Sequence, residues 1–227
     1  MSAALSTSGL NKAFGSLVVA GDIAFSLPKG ERYALIGPNG AGKTTLINLL
    51  TGMLKPDGGQ ILLDGQDITA EPAAARVERG LVRTFQINSL FPKLSALDAV
   101  TLAVCERRRE SGVWWRGLSR YGEAIEEAHT ILASLRLDHV AQTITKELAY
   151  GQQRLLEIAL ALATKPKVLL LDEPAAGVPK DESGDLFAAI DGLSRDLTIL
   201  FIEHDMNIVF RFASRIIVMA VSYTHLR

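Results

Sequence analysis

Gly37-Pro38-Asn39-Gly40-Ala41-Gly42-Lys43-Thr44-Thr45 follows the apolar run Arg32 to Ile36 and opens a helical stretch from about Lys43 to Leu54. The order of its glycines, lysine and hydroxyl residues is that of a phosphate loop. Gly37, Gly40 and Gly42 let the backbone turn tightly, so that consecutive amide groups point at phosphate oxygens with a helix N-terminus behind them. A side chain at these glycines is expected to obstruct the cradle, and Pro38, Asn39 and Ala41 complete it. Lys43 is placed to reach the β and γ phosphates of a nucleotide, the Thr44 hydroxyl to hold Mg²⁺, and Thr45 to add a phosphate contact. The motif implies nucleotide binding on a strand-loop-helix unit and leaves ATPases, GTPases and kinases open.

A second motif narrows the choice. Val168-Leu169-Leu170-Leu171-Asp172-Glu173-Pro174 reads as a buried strand ending in two carboxylates. Asp172 can hold Mg²⁺ through water, and Glu173 beside it is the candidate general base for a water attacking in line with the γ phosphate. His204 follows the apolar strand Leu200-Phe201-Ile202 and is expected at the same carboxyl end of the sheet, where ligands bind in open α/β folds. Taken alone, Glu203-His204-Asp205 could be a surface cluster or a weak metal site, the surface cluster being the default. Gln86, after Leu81-Val82-Arg83-Thr84-Phe85, stands where strand gives way to helix and can contact Mg²⁺ or the attacking water.

The phosphate loop, the acidic strand end and the intervening Leu148-Ala149-Tyr150-Gly151-Gln152-Gln153-Arg154 together resemble the ATP-binding subunit of an ABC transporter. The resemblance covers nearly the whole chain. It implies an α/β fold: a P-loop NTPase (RecA-like) core with an antiparallel β subdomain and an inserted helical subdomain. The chain then reads as a single ABC ATPase domain over 1–227, with 1–90 and 164–227 as nucleotide-binding core and 91–163 as helical subdomain. ATP and Mg²⁺ are the implied cofactors. By the same resemblance His204 is the γ-phosphate sensor, Gln86 belongs to the loop coupling nucleotide to the membrane partner, and Phe14 stacks on adenine, although Phe14 by itself could be a core residue. Two such subunits sandwich two ATP molecules head to tail, with Ala149, Tyr150, Gly151 and Gln152 facing the partner's nucleotide.

The spellings Leu148-Ala149-Tyr150-Gly151-Gln152, Arg83-Thr84-Phe85-Gln86 and Glu173-Pro174-Ala175-Ala176-Gly177 are similar to those of branched-chain amino-acid importer ATPases. Such importers imply transmembrane permease subunits, a second ATPase subunit (homo- or heterodimer), a periplasmic binding protein as an indirect partner, and a peripheral place on the cytoplasmic face of the inner membrane. The chain departs from the family at Ala149, which lacks the usual hydroxyl, at Val178-Pro179-Lys180, where a loop aspartate is common, and at Leu160, where an arginine is common. Val221 to Arg227 also departs from the expected strand and helix, so an incomplete terminus with an exposed sheet edge is expected.

Composition agrees. With 24 basic against 25 acidic residues, nothing in the global charge argues for nucleic acid as a partner. Cys105 is the only cysteine, which excludes an internal disulfide or a multi-cysteine zinc site and reads as a small apolar helix residue. The apolar runs are too short for a membrane span and the first residues lack a signal peptide pattern. Further strands are expected at Asp22 to Leu27, Gln60 to Leu63, Thr198 to Ile202 and Arg215 to Met219, antiparallel early and parallel later, with Pro28-Lys29-Gly30 as a hairpin turn. Ser95 to Ala163 reads as helical, with a basic aromatic loop around Arg107 to Arg116. Rival readings are a soluble ABC-type ATPase acting on nucleic acid or ribosomes, for which that loop is the only support, and an ATP-binding subunit with little hydrolysis, motivated by Ala149. A small-molecule kinase would leave Tyr150-Gly151-Gln152 without a role.

Overall fold

The computed structural model describes residues 2–84, 91–109 and 121–220, with the backbone alone at 180–182. In chain order the elements are β1 (Ala3–Phe14), β2 (Leu17–Pro28), β3 (Arg32–Ile36), α1 (Lys43–Leu50), β4 (Gly58–Leu63), β5 (Gln66–Asp67), α2 (Ala73–Glu78), β6 (Leu81–Arg83), α3 (Ala96–Arg107), α4 (Gly122–Ser134), α5 (Tyr150–Ala163), β7 (Val168–Asp172), α6 (Lys180–Asp191), β8 (Thr198–Ile202), α7 (Met206–Phe212) and β9 (Arg215–Val218). They form two compact units, one from the described residues of Met1–Arg83, Lys167–Pro174 and Arg195–Arg227, the other from those of Thr84–Pro166 and Ala175–Ser194.

The first unit holds both sheets. A parallel sheet runs β6-β7-β8-β3-β9 and an antiparallel one β2-β1-β4-β5. Val168 to Leu171 and the whole of β8 are buried, as strands covered on both faces must be, which is why they read as unbroken apolar runs. One core joins the two sheets, with Leu5, Leu10 and Leu63 from the antiparallel sheet packed with Leu35, Leu170 and Ile202 from the parallel one and Leu46 and Leu50 from α1.

The 12-residue strand β1 is absent from the sequence reading. Its alternation through Leu5 and Thr7 is broken at Gly9, which has φ 57°, and its register shifts between Thr7 and Leu10. That bulge lets Leu10 return to the core on the wrong beat for a period of two. Pro28-Lys29-Gly30 does turn the chain, with Gly30 at φ 73°, but it is not a hairpin. β2 pairs with β1, whereas β3 crosses to the other sheet between β8 and β9. The Gly30 N–H donates to Thr198 Oγ1 at 3.0 Å, anchoring the switch of sheets.

Helix α1 stops at Leu50, one turn before the expected Leu54. The Arg76 guanidinium donates to the carbonyls of Leu49 and Leu50, both at 2.7 Å, and to those of Thr69 at 2.9 Å and Glu71 at 3.0 Å. The bonds to Leu49 and Leu50 satisfy carbonyls that a further helical turn would have used. Arg76 is 1% exposed, and burial pushes its pKa down from the ordinary arginine value.

The second unit is built on α3, α4 and α5. Ser95 caps α3 by accepting from the Asp98 N–H at 3.1 Å. Arg107 on α3 forks onto Glu127 of α4 at 2.8 and 2.7 Å and donates to the Ala163 carbonyl at the end of α5 at 2.9 Å. One guanidinium thus ties all three helices. Helix α6 belongs to the same unit, and Cys105 is buried on α3. No helix among the described residues is long and apolar enough to cross a membrane.

Candidate functional site

The register of the parallel sheet collects the first group of candidate residues. Leu35 and Asp172 both lie opposite Ile202, so β3, β7 and β8 end together. Gly37, Glu173 and His204 leave the sheet at that carboxyl edge, where parallel α/β sheets present ligand sites.

In the phosphate loop, Gly40 has φ 82° and Gly42, the N-cap of α1, φ 91°. The Ala41 N–H closes the turn on the Pro38 carbonyl at 3.1 Å. A Cβ at Gly37 would lie 2.5 Å from the Met219 carbonyl oxygen, and one at Gly42 2.6 Å from that of Val19, so both glycines are demanded by backbone passing behind the loop. Gly40 is different, because a Cβ there would meet nothing within 4 Å. Pro38, Asn39 and Gly40 are exposed, as is Thr44, while Ala41 is buried and Thr45 half-buried. Lys43 is 7% exposed and its ammonium spans the loop, donating to the Gly37 carbonyl at 2.7 Å and the Pro38 carbonyl at 3.1 Å. An open-faced loop with a fixed cation and the N–H groups of a helix's first turn is suited to a polyanion. Thr44, on the exposed face, offers a hydroxyl to a hard cation held at the same anion. These residues fit a nucleotide with its Mg²⁺.

At the acidic edge, the Asp172 carboxylate accepts from Arg83 of β6 through Oδ2. The other arm of Arg83 donates to Asn48 Oδ1 at 2.8 Å. Glu173 has φ 49°, a conformation uncommon for a residue with a side chain, and its N–H is held by the Ile202 carbonyl at 3.1 Å. Its Oε1 lies 2.6 Å from His204 Nε2, with both side chains open to solvent at 41% and 48%. Backbone strain of this kind persists where surroundings enforce it and clusters at functional positions. The Glu203-His204-Asp205 run is split three ways. Glu203 is buried, His204 faces Glu173, and Asp205 caps α7 by accepting from the Asn207 N–H at 2.8 Å. No group of three His, Cys, Asp or Glu side chains placed to hold a metal occurs among the described residues.

Phe14, at the end of β1, is 53% exposed, which removes the core alternative. Its neighbourhood is fixed by Asp57, which pairs with Lys12 at 2.6 Å and accepts from the Ala13 N–H at 2.8 Å, while the Lys12 ammonium stands 5.7 Å from the ring. The Lys12 bond holds the Asp57 carboxyl below its usual range.

The second unit carries Leu148 to Arg154. Leu148 is buried, Ala149 and Tyr150 are exposed, and Gly151 and Gln152 are half-buried at the start of α5. Gln152 Oε1 accepts from the Ala149 N–H at 3.0 Å, half of a capping box. Ala149 has no side-chain oxygen to return the bond, so this first turn lacks a side-chain cap from its N-cap residue. The Tyr150 hydroxyl donates to the Ala176 carbonyl at 3.1 Å and accepts from Arg154 Nη2 at 3.0 Å. Gly177 follows at φ 79°, where a Cβ would lie 3.0 Å from that hydroxyl. Gln86 lies outside the described residues.

Sequence reasoning overlooked Asn48, Arg154 and the role of Arg83. The usable signal was Arg83 itself, an arginine closing the buried pair Leu81-Val82, which requires an acidic or carbonyl partner.

Residues 20–176 match the ABC transporter family. The chain is 40% identical to the high-affinity branched-chain amino acid transport ATP-binding protein BraF of Pseudomonas aeruginosa, over 94% of this chain and 87% of BraF. It is also 40% identical to the corresponding protein LivG of Escherichia coli K12, with the same coverage. A solved structure described as the ADP conformation of an ATP-binding cassette of an ABC transporter superposes with a TM-score of 0.84 at 35% identity, covering 96% of this chain and 87% of that one.

Proposed function

The chain belongs to the ABC transporter family, and from that premise we propose that it binds and hydrolyses ATP to drive uptake of branched-chain or related amino acids through membrane permeases. The observation that carries the ATPase part is the contact of His204 with Glu173, next to Asp172, at the sheet edge that also carries the phosphate loop. The substrate class rests on the similarity to the BraF and LivG proteins.

In this reading the loop 37–42 wraps the phosphates with its amides, Lys43 and Thr45 hold phosphate oxygens, and Phe14 lies against the adenine. Thr44, Asp172 and Gln86 would hold Mg²⁺, which supplies charge neutralisation at the β and γ phosphates. Glu173 accepts the proton of the attacking water. His204 senses the γ phosphate and holds Glu173 in the orientation its strained backbone prepares. Ala149, Tyr150, Gly151 and Gln152 close on the nucleotide of a second ATPase subunit, so that ATP acts as a differential ligand for the closed dimer. The assembly works at the cytoplasmic face of the membrane, with a periplasmic binding protein delivering substrate to the permeases.

The test is Mg²⁺-ATP turnover after reconstitution with candidate permeases and a second ATPase subunit in vesicles. Turnover that rises when a binding protein loaded with a branched-chain amino acid is supplied supports the reading. Turnover indifferent to permeases and binding protein, but responsive to nucleic acid, would move the chain to the soluble ATPases.

A further inference from the structure

We propose that Arg83 is a positioning residue for the Mg²⁺-holding face of the site, bracing the two elements that carry Thr44 and Asp172. The inference rests on the ATPase reading above and adds a residue that reading does not use.

Arg83 closes β6, which runs beside β7 with Arg83 opposite Leu170. Its side chain reaches the end of β7, where Nη2 donates to Asp172 Oδ2, while Nη1 donates to Asn48 Oδ1 at 2.8 Å. Asn48 lies four residues after Thr44 on α1, one turn along the same helix face. A single planar fork therefore fixes the spacing between the helix that presents the Thr44 hydroxyl and the strand end that presents the Asp172 carboxylate. The bond on Oδ2 restrains the Asp172 carboxylate, and Oδ1 would be the oxygen available to a water on Mg²⁺. Partners of this kind orient the groups that meet a metal, and removing them typically weakens metal affinity by about 10- to 100-fold. The Arg83 and Asp172 side chains are only 16% and 21% exposed, so solvent screens the pair weakly.

Lysine can replace this residue only in part. An ammonium is one point charge, whereas the guanidinium serves two acceptors in different directions.

The experiment measures Mn²⁺ binding by paramagnetic resonance in the presence of a non-hydrolysable ATP analogue, and binding of the same analogue in EDTA, for wild type, Arg83→Met, Arg83→Lys and Asn48→Ala. Arg83→Met is expected to weaken Mn²⁺ binding about 10-fold while metal-free analogue binding stays unchanged. Arg83→Lys gives an intermediate loss, and Asn48→Ala a smaller loss in the same direction. If Arg83→Met does not fold, the other two variants carry the test. Unchanged Mn²⁺ affinity in the variants, or an equal loss of metal-free analogue binding, overturns the inference and leaves Arg83 a purely structural residue. A wild type that binds neither analogue nor Mn²⁺ defeats the ATPase reading itself, and the inference with it.

Discussion

His204 Nε2 stands 2.6 Å from Glu173 Oε1, across 31 residues of sequence and from the ends of neighbouring strands. The pair joins the proposed base, held at a positive φ, to a ring that can orient it. His204→Ala should lower kcat by at least about 100-fold, as loss of a positioned acid-base partner does. Affinity for ADP should stay near wild type, because neither residue builds the phosphate loop and ADP lacks the γ phosphate that His204 is proposed to sense. Stopped-time phosphate release and equilibrium nucleotide binding check the two halves of this statement.

The Tyr150 hydroxyl links the Ala176 carbonyl to the Arg154 guanidinium. Tyr150→Phe removes both bonds while keeping the ring against Arg154, whose guanidinium lies 5.2 Å from its centre. A loss of about 1 kcal/mol is expected in denaturant unfolding. Gly177→Ala should lose more, because it adds strain at φ 79° to a close contact with that hydroxyl. Combining the two changes should cost less than their sum if the contact is real.

Arg76 is the joint at the end of α1. Arg76→Met leaves the carbonyls of Leu49, Leu50 and Thr69 buried and without this donor, so a loss of about 3 kcal/mol or more is expected. For a chain of this size that corresponds to a fall in Tm of roughly 6–12 °C. Differential scanning fluorimetry without nucleotide reads it directly.

Glu127 gives the helical unit an acid-sensitive tie. The Arg107 fork, helped by Lys165, holds its pKa down from 4.5 to about 2. A carboxylate with a depressed folded pKa stabilises fully above 4.5 and loses that contribution as pH falls from 4.5 through about 2. At neutral pH the contribution is at most about 3 kcal/mol. Glu127→Gln should therefore melt lower than wild type at pH 7, and the gap should narrow steadily between pH 4.5 and pH 2.

Gly37 to Thr45 and Val168 to Glu173 were legible because local chemistry alone demands their residue types, and the parallel sheet followed from its unbroken apolar runs. The P-loop NTPase fold with its antiparallel sheet and helical insertion followed from the family resemblance that those motifs and Leu148 to Arg154 carry. Strand β1 was hidden by the bulge at Gly9, which breaks the alternation that identifies strands. Pro28-Lys29-Gly30 was misread because a hairpin and a switch between sheets use the same turn residues, and only the partners of β2 and β3 separate them. The stop of α1 at Leu50 depended on Arg76, 26 residues away. Arg83 meets Asn48 and Asp172 only in the folded chain, 35 and 89 residues distant. Such long-range polar partners leave no local pattern.

The central claim is that Glu173 is the base whose loss stops hydrolysis while leaving ATP able to close a dimer. The most direct measurement is the oligomeric state of Glu173→Gln with Mg²⁺-ATP, by size-exclusion chromatography with light scattering, alone and mixed with a second ATPase subunit, alongside turnover. The account predicts no measurable turnover and a dimer that forms with ATP and disappears with ADP. A variant that still hydrolyses at the wild-type rate, or that stays monomeric with ATP and either partner, would contradict it.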